Sequence, residues 1–395
     1  MPKPLSEATL ALVEATAPVV ARHVDQIVPC MYRRLLADPA IRALFNMSHQ
    51  HGDSPQHKAL ANALVAYASH IRNPGVLAGA LERIAQKHAG LQILPEHYPH
   101  VAEALLGAVS EVLGEAATPE ILAAWGEAYW FLADTLIARE EEIYTASEDA
   151  AGGWRGWRRF RVVAKTPETA EITSFTLRPA DGGPVAPHLP GQYLSFRFRP
   201  TEGEELRRNY SISSAPDGVS YRITVKREPG GRVSNWLHDE VEVGAEFDTA
   251  PPAGEFFLDP AGKKEVVLLS GGVGLTPMIS MLESYAESDL RMIYIHGTRD
   301  RAHHAMRDRH LALADESHVF YENAEIDEEM ARHGIRPGRI DPDTLVKVTD
   351  PTRADYFVCG PTAFMEAMVR ALKAANVPDT RIHHEFFGPA AARIG

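Results

Sequence analysis

The spacing of apolar residues along the chain changes twice, and each change marks a different kind of structure. From residue 5 to about residue 146 apolar positions recur at helical intervals, with no alternating stretch long enough for a strand, which predicts an all-α block. Ser147-Glu148-Asp149-Ala150-Ala151-Gly152-Gly153 interrupts this with small, polar and glycine residues and reads as a linker. Beyond it the period is two. Residues 160–163, 172–177, 193–198, 210–213 and 221–226 predict strands separated by turn residues, the pattern of a small antiparallel β-barrel. From Glu265 onward, strands at 266–269, 292–296, 319–322 and 356–359 alternate with helical stretches, which predicts a doubly wound α/β unit. The breaks place three domains at residues 1–147, 153–259 and 263–395, a multidomain combination of α and β classes.

Two helical faces in the α block carry residues that are hard to explain as packing. At ~100° per residue, Leu77, Leu81, Ile84 and Leu91 share one apolar arc, with His88 in its middle and Lys87 at its edge. The ordinary explanation of a single buried histidine is a ring satisfied by backbone carbonyls. The last helix of the block changes that reading. Tyr129, Leu132, Leu136 and Ile143 form its apolar arc, and of the three consecutive glutamates only Glu140 falls inside it. A carboxylate on a buried face is costly unless paired. Pairing Glu140 with one ring nitrogen of His88 satisfies both and leaves the other nitrogen for a metal. Tyr98, three residues after Pro95, is expected at a helix start near the end of the His88 helix.

The β and α/β regions carry motifs whose order matters more than any one of them. Arg208-Asn209-Tyr210-Ser211 ends a predicted strand and offers a guanidinium and hydroxyls to a flavin's pyrophosphate and ribityl chain. Gly231-Arg232-Val233-Ser234 opens a helix predicted over residues 233–238, where backbone donors of Gly231, Val233 and Ser234 suit a pyrophosphate. Gly271-Gly272-Val273-Gly274-Leu275-Thr276-Pro277 follows a buried strand and opens a helix, the context in which a glycine loop binds a dinucleotide. Cys359-Gly360-Pro361 ends another strand at the same carboxyl edge of the sheet. Cys359 has no adjacent histidine or lysine to activate it and is expected beside the nicotinamide, not as a nucleophile. The pairs His303-His304 and His383-His384 point to different sides and are not read as metal sites.

Composition narrows the partners. Of 395 residues 45% are hydrophobic and 24% charged, ordinary for a globular protein. The formal charge of −13 argues against nucleic acid and anionic membrane surfaces, both of which recruit basic patches. Two cysteines, Cys30 and Cys359, in unrelated contexts leave no disulfide framework. The opening MPKPLSEATLALVEATAPVV carries acidic residues and prolines where a secretory signal has an uninterrupted apolar core, so cytoplasmic residence is expected, without membrane insertion. A monomer acting on small molecules is the corresponding expectation.

The motif order after residue 150 resembles the ferredoxin-reductase type of flavoprotein. Leu44-Phe45-Asn46-Met47-Ser48, Ala66-Tyr67-Ala68, Ile84-Ala85-Gln86-Lys87-His88 and Arg139-Glu140-Glu141-Glu142-Ile143-Tyr144 look like the globin domain of flavohaemoglobins, and the whole chain resembles that family in its order of globin, flavin and nicotinamide domains. The resemblance implies haem b, FAD and NAD(P)H as cofactors, and nitric oxide and dioxygen as substrates of a nitric oxide dioxygenase. By it, His88 is the proximal haem ligand, with Tyr98 and Glu140 around it and Lys87 tuning the redox behaviour. Tyr32 is the distal residue whose hydroxyl donates to bound dioxygen, Phe45 wedges the haem plane, and Gln56 and Leu60, four apart on one helix face, complete the distal pocket. Pro29, three residues before Tyr32, implies a bend in that helix. Tyr193, in Pro190-Gly191-Gln192-Tyr193, is a flavin contact, and Asn209 replaces a commoner glutamine. In the C-terminal Glu385-Phe386-Phe387-Gly388-Pro389 an aromatic covers the isoalloxazine, and Glu385 tunes it. Two other functions fit the same residues: a haem-based oxygen or redox sensor, and a flavin reductase whose α block binds a partner without haem. NADH and NADPH are not distinguished by His296-Gly297-Thr298-Arg299.

Overall fold

The computed structural model of the protein describes residues 3–45, 55–323, 325 and 327–387. The chain divides into two units, one running to Glu148 and the other holding all but a few of the residues from Asp149 to Gly388. The first is all helical: α1 (Glu7–Leu35), α2 (Pro39–Arg42), α3 (Pro55–Ser69), α4 (Ala78–Leu91), α5 (Tyr98–Leu113) and α6 (Pro119–Asp149). α1 starts at Ser6, whose side chain accepts from the Thr9 amide, and Val13, Val20 and Ile27 recur every seven residues as one buried stripe. That stripe belongs to the same core as Ala104, Leu105, Ala108 and Val109 of α5. Pro18 and Pro29 both lie inside α1, which runs through them as one helix. α6 also extends further than the pattern predicts, so residues 147–149 of the expected linker are helical.

The second unit contains two sheets. The first holds β1 (Arg158–Pro167), β2 (Ile172–Pro179), β3 (Tyr193–Phe198), β4 (Leu206–Ser211), β5 (Tyr221–Lys226) and β6 (Glu246–Thr249) in the order β4-β3-β6-β1-β2-β5, with α7 (Arg232–Asp239) after β5. An antiparallel bridge between Ile212 and Ile223 joins the two edges and closes the barrel. β6 escapes sequence reading because it is short and carries two acids. Its Asp248 is nevertheless buried, held by Arg159 at 3.0 Å, Arg197 at 2.8 Å and Arg199 at 3.0 Å.

The other sheet is parallel, with β7 (Glu265–Gly271), β8 (Arg291–Thr298), β9 (Glu316–Tyr321), β10 (Ile335–Pro337), β11 (Asp355–Cys359) and β12 (Ile382–Glu385) in the order β10-β9-β8-β7-β11-β12. Helices α8 (Leu275–Tyr285), α9 (Arg307–Leu313), α10 (Glu328–Arg332), α11 (Pro342–Val348) and α12 (Thr362–Ala374) alternate with the strands. β7 is buried along its whole length, as expected of a central parallel strand covered on both faces.

Beside β8 four rings stack in the interior. Tyr294 and His310 lie 4.7 Å apart, His310 and His304 4.9 Å, and His304 and His296 4.7 Å. Burial holds the three imidazoles neutral, with His296 pushed down to about 3, His310 to about 4, and His304 well below its ordinary value. A histidine depressed in the folded state contributes stability that is complete above its unfolded value of ~6.5 and is lost as pH falls toward the folded value. Stability should therefore decline below pH ~6.5 by up to about 1.4 kcal/mol per pH unit for each such ring. Urea midpoints measured at pH 7 and pH 5.5 check this; equal midpoints would contradict it.

Candidate functional site

The sequence-predicted residues of the helical unit gather in two groups. In the first, α4 carries His88 in its last turn, and the chain turns at Gln92 through a left-handed backbone (φ 57°) before α5 begins at Tyr98. Glu140 projects from α6 and is 1% exposed. His88 Nδ1 lies 2.7 Å from Glu140 Oε1, and the Tyr98 hydroxyl donates to the same oxygen at 2.6 Å. Burial, reinforced by the Glu140 charge, drives the Tyr98 phenol well above its ordinary value, so it keeps the proton that it donates. With Nδ1–H directed to the carboxylate, Nε2 carries the lone pair, and this nitrogen has no protein partner among the described residues. Lys87 is exposed beside this group.

Braces that sequence reasoning missed hold this group in place. Tyr129 donates to the Tyr98 carbonyl at 2.7 Å and Tyr144 to the Ile93 carbonyl at 2.5 Å. Arg139, next to Glu140, makes a two-pronged contact to Glu82 of α4 at 2.7 and 3.0 Å. The available signal was positional: Tyr129 and Tyr144 are aromatics on the arc of Glu140, and Arg139 precedes it.

The second group is Tyr32, Phe45 and Leu60, which share a cluster with Val28 and Ala61. Tyr32 is buried and meets Phe45 edge-on at 6.0 Å. Burial pushes its phenol up to about 12, so it is a neutral donor at physiological pH. Gln56 is on α3, but its side chain lies outside the described residues.

In the barrel, Arg208 is half-buried on β4, where burial lowers its affinity for a proton and the neighbouring charge of Arg232 does so further. Arg232 is itself ion-paired with Glu204, so Arg208 is the cation that this strand offers an anion. Tyr210 packs against Phe196 at 6.1 Å and Phe198 at 6.2 Å, Ser211 is buried, and Asn209 is exposed. α7 starts after Gly231, with Val233 and Ser234 buried in its first turn, so its first amides are without helical partners. Tyr193 is buried, and its hydroxyl has no hydrogen-bond partner among the described residues. The charge of Glu385 reaches both Tyr193 and Cys359, raising each phenol or thiol beyond what burial does. Cys359 is thus a protonated thiol, which fits the expected non-nucleophilic place. Phe386 packs on the α/β core and Phe387 is 47% exposed. Gly388 and Pro389 lie outside the described residues.

At the carboxyl edge of the parallel sheet two loops touch through their main chains. A Cβ on Gly274 would overlap the Cys359 carbonyl and sit 2.8 Å from the Gly360 amide nitrogen, and one on Gly360 would sit 3.1 Å from the Gly271 amide nitrogen. Gly272 turns with φ +53° and faces open space. Val273 is half-buried, whereas Leu275, Thr276 and Pro277 are buried at the start of α8, and the Thr276 hydroxyl donates to the Val273 carbonyl at 3.1 Å. Pro361 stays exposed above Gly271. The structure therefore brings Gly272, Val273, Gly274, Cys359, Gly360 and Pro361 to one edge, where doubly wound sheets bind ligands. No helix among the described residues is long and apolar enough to cross a membrane.

Comparison with known proteins assigns each region. Residues 29–136 match the globin family, 159–258 the oxidoreductase FAD-binding domain family and 268–370 the oxidoreductase NAD-binding domain family. The chain is 49% identical over 390 residues to a flavohemoprotein of Xylella fastidiosa, covering 96% of each. It is similar to the crystal structure of a flavohemoglobin from Malassezia yamatoensis with bound FAD and heme, at 30% identity and a TM-score of 0.83, covering 98% of this chain and 100% of that one. The FAD/NAD-binding part of a nitric oxide dioxygenase from Vibrio cholerae is 34% identical, with a TM-score of 0.54, over 60% of this chain and 100% of that one.

Proposed function

Because this chain belongs to the flavohaemoprotein family, we propose that it is a nitric oxide dioxygenase, which turns nitric oxide and dioxygen into nitrate with electrons from NAD(P)H. The observation that carries the reading is the His88 imidazole, with Nδ1 fixed by Glu140 at 2.7 Å and Nε2 left to coordinate. That donor set fits a haem iron, for which a neutral imidazole backed by a carboxylate is a strong proximal ligand. The buried Tyr193 hydroxyl, without a hydrogen-bond partner among the described residues, and the Arg208 cation fit a flavin and its pyrophosphate, and the open face of Gly272 fits a dinucleotide. When bound, haem b supplies one-electron chemistry at dioxygen, and FAD divides a hydride's two electrons into single ones.

The residues have separate tasks. Glu140 and Tyr98 share the His88 proton, hold the ring's tautomer and raise its basicity. Tyr32 donates from the distal side, with Phe45, Gln56 and Leu60 shaping the pocket. Arg208, Asn209, Tyr210, Ser211, Gly231, Val233 and Ser234 hold the flavin, and Phe386, Phe387, Gly388 and Pro389 cover it. Gly272, Val273, Gly274, Leu275, Thr276 and Pro277, with Cys359, Gly360 and Pro361, receive the nicotinamide nucleotide. Lys87 and Glu385 set potentials through charge. Domain limits of 1–147, 153–259 and 263–395, a monomeric state and a cytoplasmic location belong to the same reading. The net charge of −13 supports small molecules over nucleic acid.

Each nitrate takes one electron and each hydride carries two, so nitrate should form at two per NAD(P)H in aerobic enzyme supplied with nitric oxide. Oxidation of NAD(P)H without nitrate formation would return the protein to the sensor or reductase readings. In Tyr32→Phe, reduction of flavin and haem should be nearly unchanged, because neither uses the distal hydroxyl. Dioxygen dissociation should quicken ~10-fold or more, the worth of one hydrogen bond to a partly charged acceptor. Identical dissociation rates by stopped flow would make Tyr32 a packing residue.

A further inference from the structure

On the reading of NAD(P)H as donor, we infer that an arginine-lined cavity beside the chain leaving β8 binds a phosphomonoester, and through it the 2′-phosphate of NADPH. The cavity has a volume of about 510 Å³. Arg301, Arg307 and Arg309 line it from the α/β unit and Arg222 from the barrel, against the carboxylates of Glu168 and Asp308. Arg222 and Arg309 are paired with Glu283, and Arg307 with Asp308, which leaves Arg301 as the lining arginine without an ion pair among the described residues.

Its place in the sheet matches what such a ligand needs. β7 and β8 run parallel with Ser270 opposite His296 and Gly271 opposite Gly297, so the chain leaves β8 at the level where the glycine loop leaves β7. In dinucleotide-binding sheets the adenosine ribose lies near the end of this second strand. A carboxylate there takes the 2′-hydroxyl of NADH, or an arginine the 2′-phosphate of NADPH. Asp300 is the one carboxylate in residues 299–306, and it is occupied. It accepts from the His303 amide at 3.1 Å and lies 2.6 Å from His303 Nδ1. Arg299 is paired with Glu171. The Arg301 guanidinium, by contrast, has no ion pair among the described residues, and its residue is exposed at the cavity.

Arg301 is placed for such a ligand: a phosphate in the cavity offers oxygens to its guanidinium, the charge-assisted geometry for which arginine is suited.

The test uses the holoenzyme in NADH- and NADPH-driven nitric oxide turnover. In Arg301→Ala the ratio of kcat/KM for NADPH to that for NADH should fall about ten-fold or more. In the unaltered protein, 2′,5′-ADP should inhibit NADPH oxidation at least ten-fold more tightly than 5′-AMP, a measurement independent of any variant's folding. An unchanged ratio, or equal inhibition by the two nucleotides, overturns the inference while leaving the dioxygenase reading in place. Inorganic phosphate that competes as well as 2′,5′-ADP also overturns it, making the cavity a site for free anions. Absence of turnover with either nucleotide would instead count against the dioxygenase reading.

Discussion

Replacing His88 with alanine is expected to abolish stable haem binding and leave FAD bound. The Soret band should be lost while flavin absorbance persists, since His88 and the flavin residues belong to separate units of the chain. Nothing else among the described residues of the first group replaces a neutral imidazole with a free ring nitrogen. The substitution also leaves Glu140, 1% exposed, with the Tyr98 hydroxyl in place of two donors, so the apoprotein should lose about 1–3 kcal/mol of stability. Imidazole added to the variant should restore a Soret band by filling the vacated space. Unaltered haem affinity in His88→Ala would sink the proximal assignment, and simultaneous loss of flavin would contradict independent sites.

Gly274→Ala is expected to be comparably damaging at the other end of the electron path. The new methyl would overlap the Cys359 carbonyl, which is main chain and cannot rotate away. Separating the two loops should cost about 1–3 kcal/mol of stability and displace the nicotinamide nucleotide enough to slow flavin reduction on the order of 100-fold. Haem absorbance should be unaffected. Gly272→Ala is the comparison for stability alone: its site has a positive φ but no described protein atoms near the added carbon, so the fold should lose only the backbone penalty of about 1–2 kcal/mol, while the methyl enters the face proposed for the dinucleotide. Stopped-flow flavin reduction by NADH tests Gly274→Ala, and wild-type rates there would show that the loops part without consequence.

The architecture is legible wherever periodicity and burial coincide. β7 and β11 are buried along their length and announce themselves as continuous apolar runs, while β10 has three residues and β12 contains His383 and His384, so neither presents a pattern. The pairing of Glu140 with His88 is legible for an energetic reason: a carboxylate on an apolar arc must find a partner, and the histidine is the residue with the same need. The position of Tyr98 at a helix start follows from Pro95. The Arg139–Glu82 contact and the backbone bonds of Tyr129 and Tyr144 are not legible, because they depend on how α4, α5 and α6 pack together. Nor is the stack of His296, His304 and His310, which forms only when β8, α9 and the segment between them fold together.

The contact between the Gly274 and Cys359 loops has a consequence for redesign. Because the two segments meet through peptide groups, side-chain libraries at these positions have almost no usable diversity: a residue larger than glycine at position 274 strikes main chain before it reaches a ligand. Attempts to retarget this enzyme to other hydride donors, including synthetic nicotinamides, should therefore leave that seam untouched and place their variation after β8, where Arg301 is an exposed side chain that can be exchanged without striking main chain.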